Sequence, residues 1–495
     1  MRRYDFLIVG SGIVGLVLAL KLKAKFANKE ILMLDKEADS VQHGTGRNSG
    51  VIHSGIYYPQ NTLRAKYCIS GSKQLKNYVK ENNLWIDECG KILLPSSKKS
   101  MLNIDVLLER AADNGIVAER IDKKRMLELE PNANPFFEEG IHVPFTSIVD
   151  PKEVALSIVS DVKKKGVEII YNSEVTDIDS SQGKVSTNES SYLADVIINS
   201  AGLQAERIAK ISSLKSEYSF LPFKGKYWEL NSGIKLSKLL YPVPDLSLPF
   251  LGIHTVHNKD GKIYIGPSST PVFGRENYSG SKNIKIKEAL FLMFSFALKI
   301  IFNVNGLRSL ALRELKLISL SGVYKEARNL LTGIKRSQLC LSEKKVGIRS
   351  QIFDKDNKSL VSDFVVKKDK RIIHILNAIS PAFTASFGLA DFIIENVLEA
   401  SLKLKKQGLT STVFAYLNIK PLNSNFLYKN LNFNSKIFCV EEHSQIGGLG
   451  SIIANSLIDF YDKKIFFKKI AIKDENQLKI GSQAYLRKCN GLDSK

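Results

Sequence analysis

The amino-acid sequence predicts an α/β fold: a Rossmann-type dinucleotide-binding domain, a mixed α+β domain inserted into it, and a small C-terminal α/β unit. Three observations carry this. An apolar run of strand length, residues 4–9, leads into the glycine pattern GSGIVG and then into a helical run at 16–22. A second strand-like run, 30–34, ends on Asp35, which lies 20 residues after Gly15. The 495 residues, 44% hydrophobic and 24% charged, are enough for two or three cores and unlike a disordered composition.

The first element reads as a strand. Arg2 and Arg3 before an apolar stretch look superficially like a signal peptide, but Asp5 interrupts the run and no A-x-A-like cleavage site follows. Gly10 permits the tight turn, Gly12 lets backbone approach a pyrophosphate, and Gly15 allows close packing of helix on sheet. Ser11 and Ile13 share that turn, at a helix N-terminus whose free N–H groups and dipole favour phosphate. Asp35 is placed to accept from a ribose hydroxyl, with Lys36 beside it. A Gly-rich structural turn is the alternative reading. The fingerprint does not separate NAD from FAD.

The formal net charge of +21 favours anionic partners: membrane surfaces, nucleic acid or acidic small molecules. The plainer reading is a Lys-rich solvated surface. No nucleic-acid module is recognisable, so nucleic acid is not expected as a partner. The five cysteines, Cys68, Cys89, Cys340, Cys439 and Cys489, have no zinc-finger spacing. They read as free thiols in a reducing, cytoplasmic compartment, and no metal ligands are assigned.

Residues 289–302 (ALFLMFSFALKIIF) are the most apolar window. A helix of that length is too short for the ~30 Å hydrocarbon core of a bilayer. Lys282, Lys285 and Lys287 flank it on one side, and Arg308, Arg313 and Lys316 on the other. This suits an interfacial helix on the anionic inner face of the cytoplasmic membrane. A buried core helix is the competing expectation.

Residues 43–58 (HGTGRNSGVIHSGIYY) are dense in Gly and small polar residues, a composition that can wrap a cofactor closely. This segment resembles the T-G-R-N-S-G-V-I-H-A-G-I-Y-Y pattern of the FAD-dependent L-2-hydroxyglutarate dehydrogenase/oxidase family, within the D-amino-acid-oxidase-like superfamily, with Ser54 in place of Ala. Further motifs follow in order through about residue 398: Glu174-Val175, VIINSAG at 196–202, PFKGKY at 222–227, PFLGIH at 249–254, GKIYIGP at 261–267, GIRSQ at 347–351 and HILNAISPAFT at 374–384. The chain departs from the pattern at Ser268-Ser269, Ile379 and Phe383.

The resemblance implies FAD as cofactor. It assigns to the cofactor Thr45, Gly46, Arg47, Asn48, Ser49 and Gly50 of the wrapping loop, Val175 near the adenine, Ala201 and Gly202 at a later strand end, and Asn377, Ser380, Pro381 and Thr384. It implies an FAD-binding domain built from 1–95, 150–215 and 345–398, with a substrate domain at 96–149 and 216–344.

The implied reaction oxidises an L-2-hydroxy acid, with 2-hydroxyglutarate the leading substrate and oxygen or a quinone as acceptor. Such a site must hold the carboxylate, orient Cα–H and take the hydroxyl proton. Arg349 is expected to bind the carboxylate, because guanidinium offers two parallel hydrogen bonds. His53 is the first candidate base and His254 the second, since a histidine pKa lies near the operating pH. Tyr57, Lys224 and Tyr227 are candidates for a second carboxylate. The rivals are oxidation of another hydroxy acid or of an amino acid, and an inactive scaffold that presents the C-terminal unit to a partner.

That unit spans 400–495, after a polar join at Lys403, Lys405 and Lys406. Short apolar runs alternate with helical ones, as in a small α/β unit, at 412–416, 436–440, 450–460 and 465–472. EEHSQIGGLGS at 441–451, IKPL at 419–422 and the segment 480–492 resemble the transketolase C-terminal domain. The thiamine-diphosphate-binding parts of transketolase are missing, so no transketolase activity is expected. His443 reads as a loop or interface residue. The resemblance implies docking to a protein partner or dimerisation.

Overall fold

The apolar run at the N-terminus forms β1 (Arg3–Val9), and the glycine turn delivers the chain into α1 (Ile13–Lys25) and then β2 (Ile31–Leu34). The computed structural model describes residues 1–214, 217–246, 251–280, 284–399, 413–414, 436–444, 448–460 and 466–472. β1 lies between β2 and Ser191–Asn199 and pairs parallel with both. Glu168–Ile170 extends the parallel set beyond β2, and Ile372–Ile375 extends it beyond Ser191–Asn199. Parallel strands covered on both faces become apolar throughout, as in β2, where all four residues are buried. The crossover helices α1 and Pro151–Lys164 pack on each other. Ligands of such sheets bind beyond the carboxyl ends of the strands, where β1 feeds the glycine turn.

Two further sheets build the inserted domain. Phe223–Leu230 pairs with Leu339–Arg349, Ile263–Gly266 and Thr270–Pro271, and Ile263–Gly266 carries His254–His257 on its other edge. The second sheet runs Leu239–Pro242, Lys91–Leu94, Glu139–Val143, Glu119–Asp122. Two boundaries expected from the sequence therefore move. Lys91–Leu94 belongs to the inserted layer rather than to the segment ending at 95. Leu339–Arg349 crosses the expected boundary at 345 as one continuous strand. Cross-strand pairing decides membership here, and no composition change marks it.

A third expectation changes in the same way. Val413–Phe414 pairs antiparallel with Lys367 and Lys368 at the edge of the Rossmann sheet, so these two residues of the 412–416 run, expected in the C-terminal unit, belong to the first unit. That unit, taken by itself, contains a βαβ element: Ile437–Ser444 and Phe467–Ile472 are parallel, with helix Leu449–Phe460 between them in sequence. The Glu441 carboxylate accepts from the Leu449 and Gly450 amides at 2.6 and 2.8 Å, which satisfies two N–H groups at the helix start. Pro249, Phe250, Lys282, Lys403, Lys405, Lys406, the 419–422 and 480–492 segments, Gln445, Ile446, Gly447 and the side chain of His443 lie outside the described residues.

Candidate active site

The dinucleotide end of the site follows from the glycine turn. Gly10 adopts φ +100°, and its amide donates to the Leu34 carbonyl at 2.8 Å. A Cβ added to Gly15 would lie 2.2 Å from the Gly10 carbonyl oxygen and 2.6 Å from Ser200 Oγ, so only glycine lets α1 sit this close to the sheet. Gly12 differs. A Cβ there would meet only Thr45 Oγ1, a tight contact at 3.2 Å, with no other atom within 4 Å at the start of α1. Gly12 brings no capping side chain, and Thr45 Oγ1 accepts from the Ile13 amide at 2.9 Å. An open, amide-rich helix start is the cradle a pyrophosphate requires, so these residues fit an FAD.

Asp35 stands at the end of β2, and its Oδ2 accepts from the Ser11 amide at 2.8 Å and from the Ser11 hydroxyl. It thus fixes the turn as well as offering an acceptor to a ribose. Lys36 is committed to Glu37 and to Glu276. Val175 begins the strand Val175–Asp179, and Gly202, at φ +52°, follows Ala201 at the end of Ser191–Asn199.

The wrapping loop is held by its own polar groups. Asn48 Oδ1 accepts from the Gly50 amide at 2.7 Å, and Asn48 Nδ2 donates to the Thr45 carbonyl at 2.7 Å. A Cβ on Gly46 would lie 2.4 Å from the Val41 carbonyl oxygen. Arg47 stacks on Tyr278, with its guanidinium carbon 4.0 Å from the ring centre. Thr384 and Asn377, expected to touch the cofactor, also bond backbone through their side chains. Thr384 Oγ1 accepts from the His53 amide and donates to the Val51 carbonyl, tying the loop to helix Ala382–Phe392. Asn377 donates to the Val361 and Asp363 carbonyls and accepts from the Ile352 amide. The Ser380 carbonyl, before Pro381, accepts from Arg64. Phe383 is buried on helix Ala382–Phe392.

The substrate end brings together residues from four segments. Arg349 ends its strand opposite Phe223, and its Nη1 donates to Ser269 Oγ at 2.6 Å. Ser269, at which the chain departs from the family pattern, is therefore one partner that holds Arg349. Burial pushes the Tyr227 hydroxyl up to about 12, against the pull of Arg349 and a hydrogen bond with Ser49. His53 is buried, with Nδ1 lacking a partner. Burial, with Lys91 and His254 nearby, lowers its pKa to about 3. His254 is also lowered to about 3 by burial. Its Nδ1 lies 3.0 Å from the Gly252 carbonyl, which only accepts, so Nδ1 carries the proton and Nε2 is the bare nitrogen. The ring stacks on Tyr241 with centroids 4.0 Å apart.

Lys224 falls on the other side. It pairs with Ile348, one residue from the Phe223–Arg349 pair, and successive strand residues face opposite ways. Its Nζ donates to Asn277 Oδ1 at 2.9 Å. The cation beside Tyr57 is instead Lys91, whose Nζ donates to the Tyr57 hydroxyl at 3.2 Å. The isolated dipeptide Gly90-Lys91 gives no sign of this, because strand pairing alone buries the side chain.

The chain is similar to known proteins over most of its length. The sequence matches the family FAD dependent oxidoreductase over residues 5–395 and the family Transketolase, C-terminal domain over residues 393–495. It is 33% identical over 400 residues to the L-2-hydroxyglutarate dehydrogenase of Escherichia coli K12, which covers 80% of this chain and 93% of that enzyme. It is 30% identical over 417 residues to the mitochondrial L-2-hydroxyglutarate dehydrogenase of Homo sapiens, covering 80% of this chain and 88% of that one. Among solved structures, FAD-bound L-alpha-glycerophosphate oxidase from Mycoplasma pneumoniae superposes with a TM-score of 0.63 at 20% identity, over 80% of this chain and 94% of that one. Glycine oxidase from Geobacillus kaustophilus gives 0.61 at 14% identity, over 84% and 97%.

Proposed function

Because this chain belongs to the FAD dependent oxidoreductases, in the L-2-hydroxyglutarate dehydrogenase family, we propose that it oxidises L-2-hydroxyglutarate to 2-oxoglutarate. The observation that carries the reading is the grouping of Arg349 with two imidazoles, His53 and His254, that burial keeps neutral. A bound FAD supplies the two-electron acceptor. Arg349, steadied by Ser269, binds the carboxylate next to the reacting carbon. His53 takes the hydroxyl proton on its unpartnered nitrogen. Tyr57, Tyr227 and Tyr241 wall the pocket with buried rings and exclude water. With a dye as electron acceptor, the L form gives one 2-oxoglutarate per two electrons transferred and the D form none. Ammonia release from L-glutamate, without oxidation of the hydroxy acid, establishes the amino-acid rival instead.

A second reading concerns where the enzyme works. Helix Ile286–Ile301 is about 24 Å long by its 16 residues. No helix among the described residues is long and apolar enough to cross a membrane. Its inner side, Leu292 and Phe296, is buried, and Phe296 packs with Phe223, Leu307 and Leu310. Its outer side stays apolar and open: Phe291 is 60%, Phe294 67% and Phe302, at its end, 74% exposed, with Leu290 exposed as well; Leu312 and Leu315 are exposed on the next helix, Leu307–Lys316. A core helix does not leave such a face uncovered. With Lys285, Lys287, Arg308 and Lys316 around it, this face is proposed to lie on an anionic bilayer, at the inner face of the cytoplasmic membrane, where a quinone takes the electrons. The protein is expected to sediment with phosphatidylglycerol vesicles and to be partly released by salt. Phe291→Asp with Phe294→Asp should weaken that binding about tenfold or more. Absence of vesicle binding at low salt contradicts the reading and leaves oxygen as the acceptor.

A further inference from the structure

Lys91 is fully buried on the strand Lys91–Leu94. Its hydrogen-bond partner is the Tyr57 hydroxyl, and its ammonium lies 4.2 Å from the Tyr57 ring centre and 5.2 Å from that of Tyr241. Among the described residues no carboxylate is bonded to it. A buried ammonium without an anion is costly and persists where an anion arrives to meet it. His53 and His254 both sense its charge; His254 senses Arg349 as well, and His53 senses Arg64. The Tyr241 hydroxyl and His53 Nδ1 are buried without partners, which leaves polar groups in this pocket for a ligand to satisfy.

We infer that Lys91, with the Tyr57 and Tyr241 rings around it, is the binding subsite for the second carboxylate of a dicarboxylate substrate, while Arg349 holds the first. The inference rests on the proposed function and names the group that separates a dicarboxylate from a monocarboxylic 2-hydroxy acid. Lys224, bonded to Asn277, does not serve this role.

The surroundings give the subsite a pH signature. Burial lowers Lys91 to about 7. The groups around it titrate elsewhere: Cys68 is raised to about 12, Tyr57 and Tyr241 are raised well above 10, and His53 and His254 are lowered to about 3. A carboxylate favours the charged amine and so raises the Lys91 pKa on binding. Below pH 7 the free site is already charged. Above it, binding must take up a proton, so affinity falls by up to about tenfold per pH unit until the pKa of the complex is reached.

The test uses the FAD-loaded protein and two substrates, L-2-hydroxyglutarate and L-2-hydroxyvalerate, which has the same carbon chain without the second carboxylate. Glutarate binding is followed by its perturbation of the flavin spectrum. Lys91→Met is expected to raise the dissociation constants of L-2-hydroxyglutarate and glutarate about 100-fold and to leave L-2-hydroxyvalerate within about threefold. Lys91→Arg should restore part of the loss. In the unaltered protein, glutarate affinity should fall between pH 7 and pH 9, a measurement that does not depend on the variants folding. Equal losses for both substrates, or a flat glutarate profile, overturn the assignment of Lys91 and leave the proposed function standing. Lys91-dependent glutarate binding without oxidation of L-2-hydroxyglutarate keeps the subsite and overturns the proposed function. Neither binding nor oxidation of any dicarboxylate overturns both.

Discussion

His53→Gln is expected to slow reduction of the bound flavin by about 10²- to 10⁴-fold while the protein remains yellow. The imidazole is buried and its Nδ1 has no partner, so a nitrogen is free for a substrate proton. Its backbone amide is anchored by Thr384 Oγ1 at 3.1 Å, which places the residue independently of the side chain. Before substrate binds, its pKa of about 3 makes it a weak base. Two incoming carboxylates raise that value, because anions stabilise the imidazolium. The base is thus strengthened by the substrate it serves. Glutamine keeps hydrogen-bonding capacity and cannot take the proton. His254→Gln should cost less, since its Nδ1 is already committed to Gly252 and its ring to Tyr241. A His53→Gln protein reduced at the normal rate would move the base to His254.

Gly12→Val is expected to yield a folded protein with less than about a tenth of the normal flavin content. Gly12 has φ −80° and ψ 175°, extended backbone that any residue adopts, and a Cβ there meets only Thr45 Oγ1. The protein tolerates the side chain, whereas a pyrophosphate at the helix start does not. The thermal midpoint should match that of the flavin-free parent within a few degrees, about 1 kcal/mol. Gly15→Val is the contrasting case, because its Cβ would collide with the Gly10 carbonyl and Ser200. It should lose flavin and stability together. Normal flavin content in Gly12→Val would place the pyrophosphate elsewhere.

The nucleotide end of the site is legible in the sequence because its physics is local. The turn, the helix start and the acid at the end of β2 lie within one βαβ stretch, and their spacing reports their geometry. The substrate end is less legible because it is assembled by strand register. Lys224 and Arg349 sit on paired strands, yet pleating sends them to opposite faces. Lys91 and Tyr241 carry no motif of their own. They meet because Lys91 and Leu239 pair in one sheet while the Tyr241 ring stacks on His254 from another. Thr384 and Asn377, which the resemblance assigns to the cofactor, also hold the loop and the 361–363 segment in place, a role no motif announces. The apolar window at 289–302 was legible as a helix of the right length, but which residues face outward depended on Leu292 and Phe296 packing inward.

Anaerobic mixing of the purified, FAD-loaded protein with L-2-hydroxyglutarate, followed by absorbance near about 450 nm, where oxidised flavins absorb, tests the central claim most directly. Rapid bleaching by the L form and none by the D form is the predicted result. A yellow protein that neither enantiomer bleaches would contradict it.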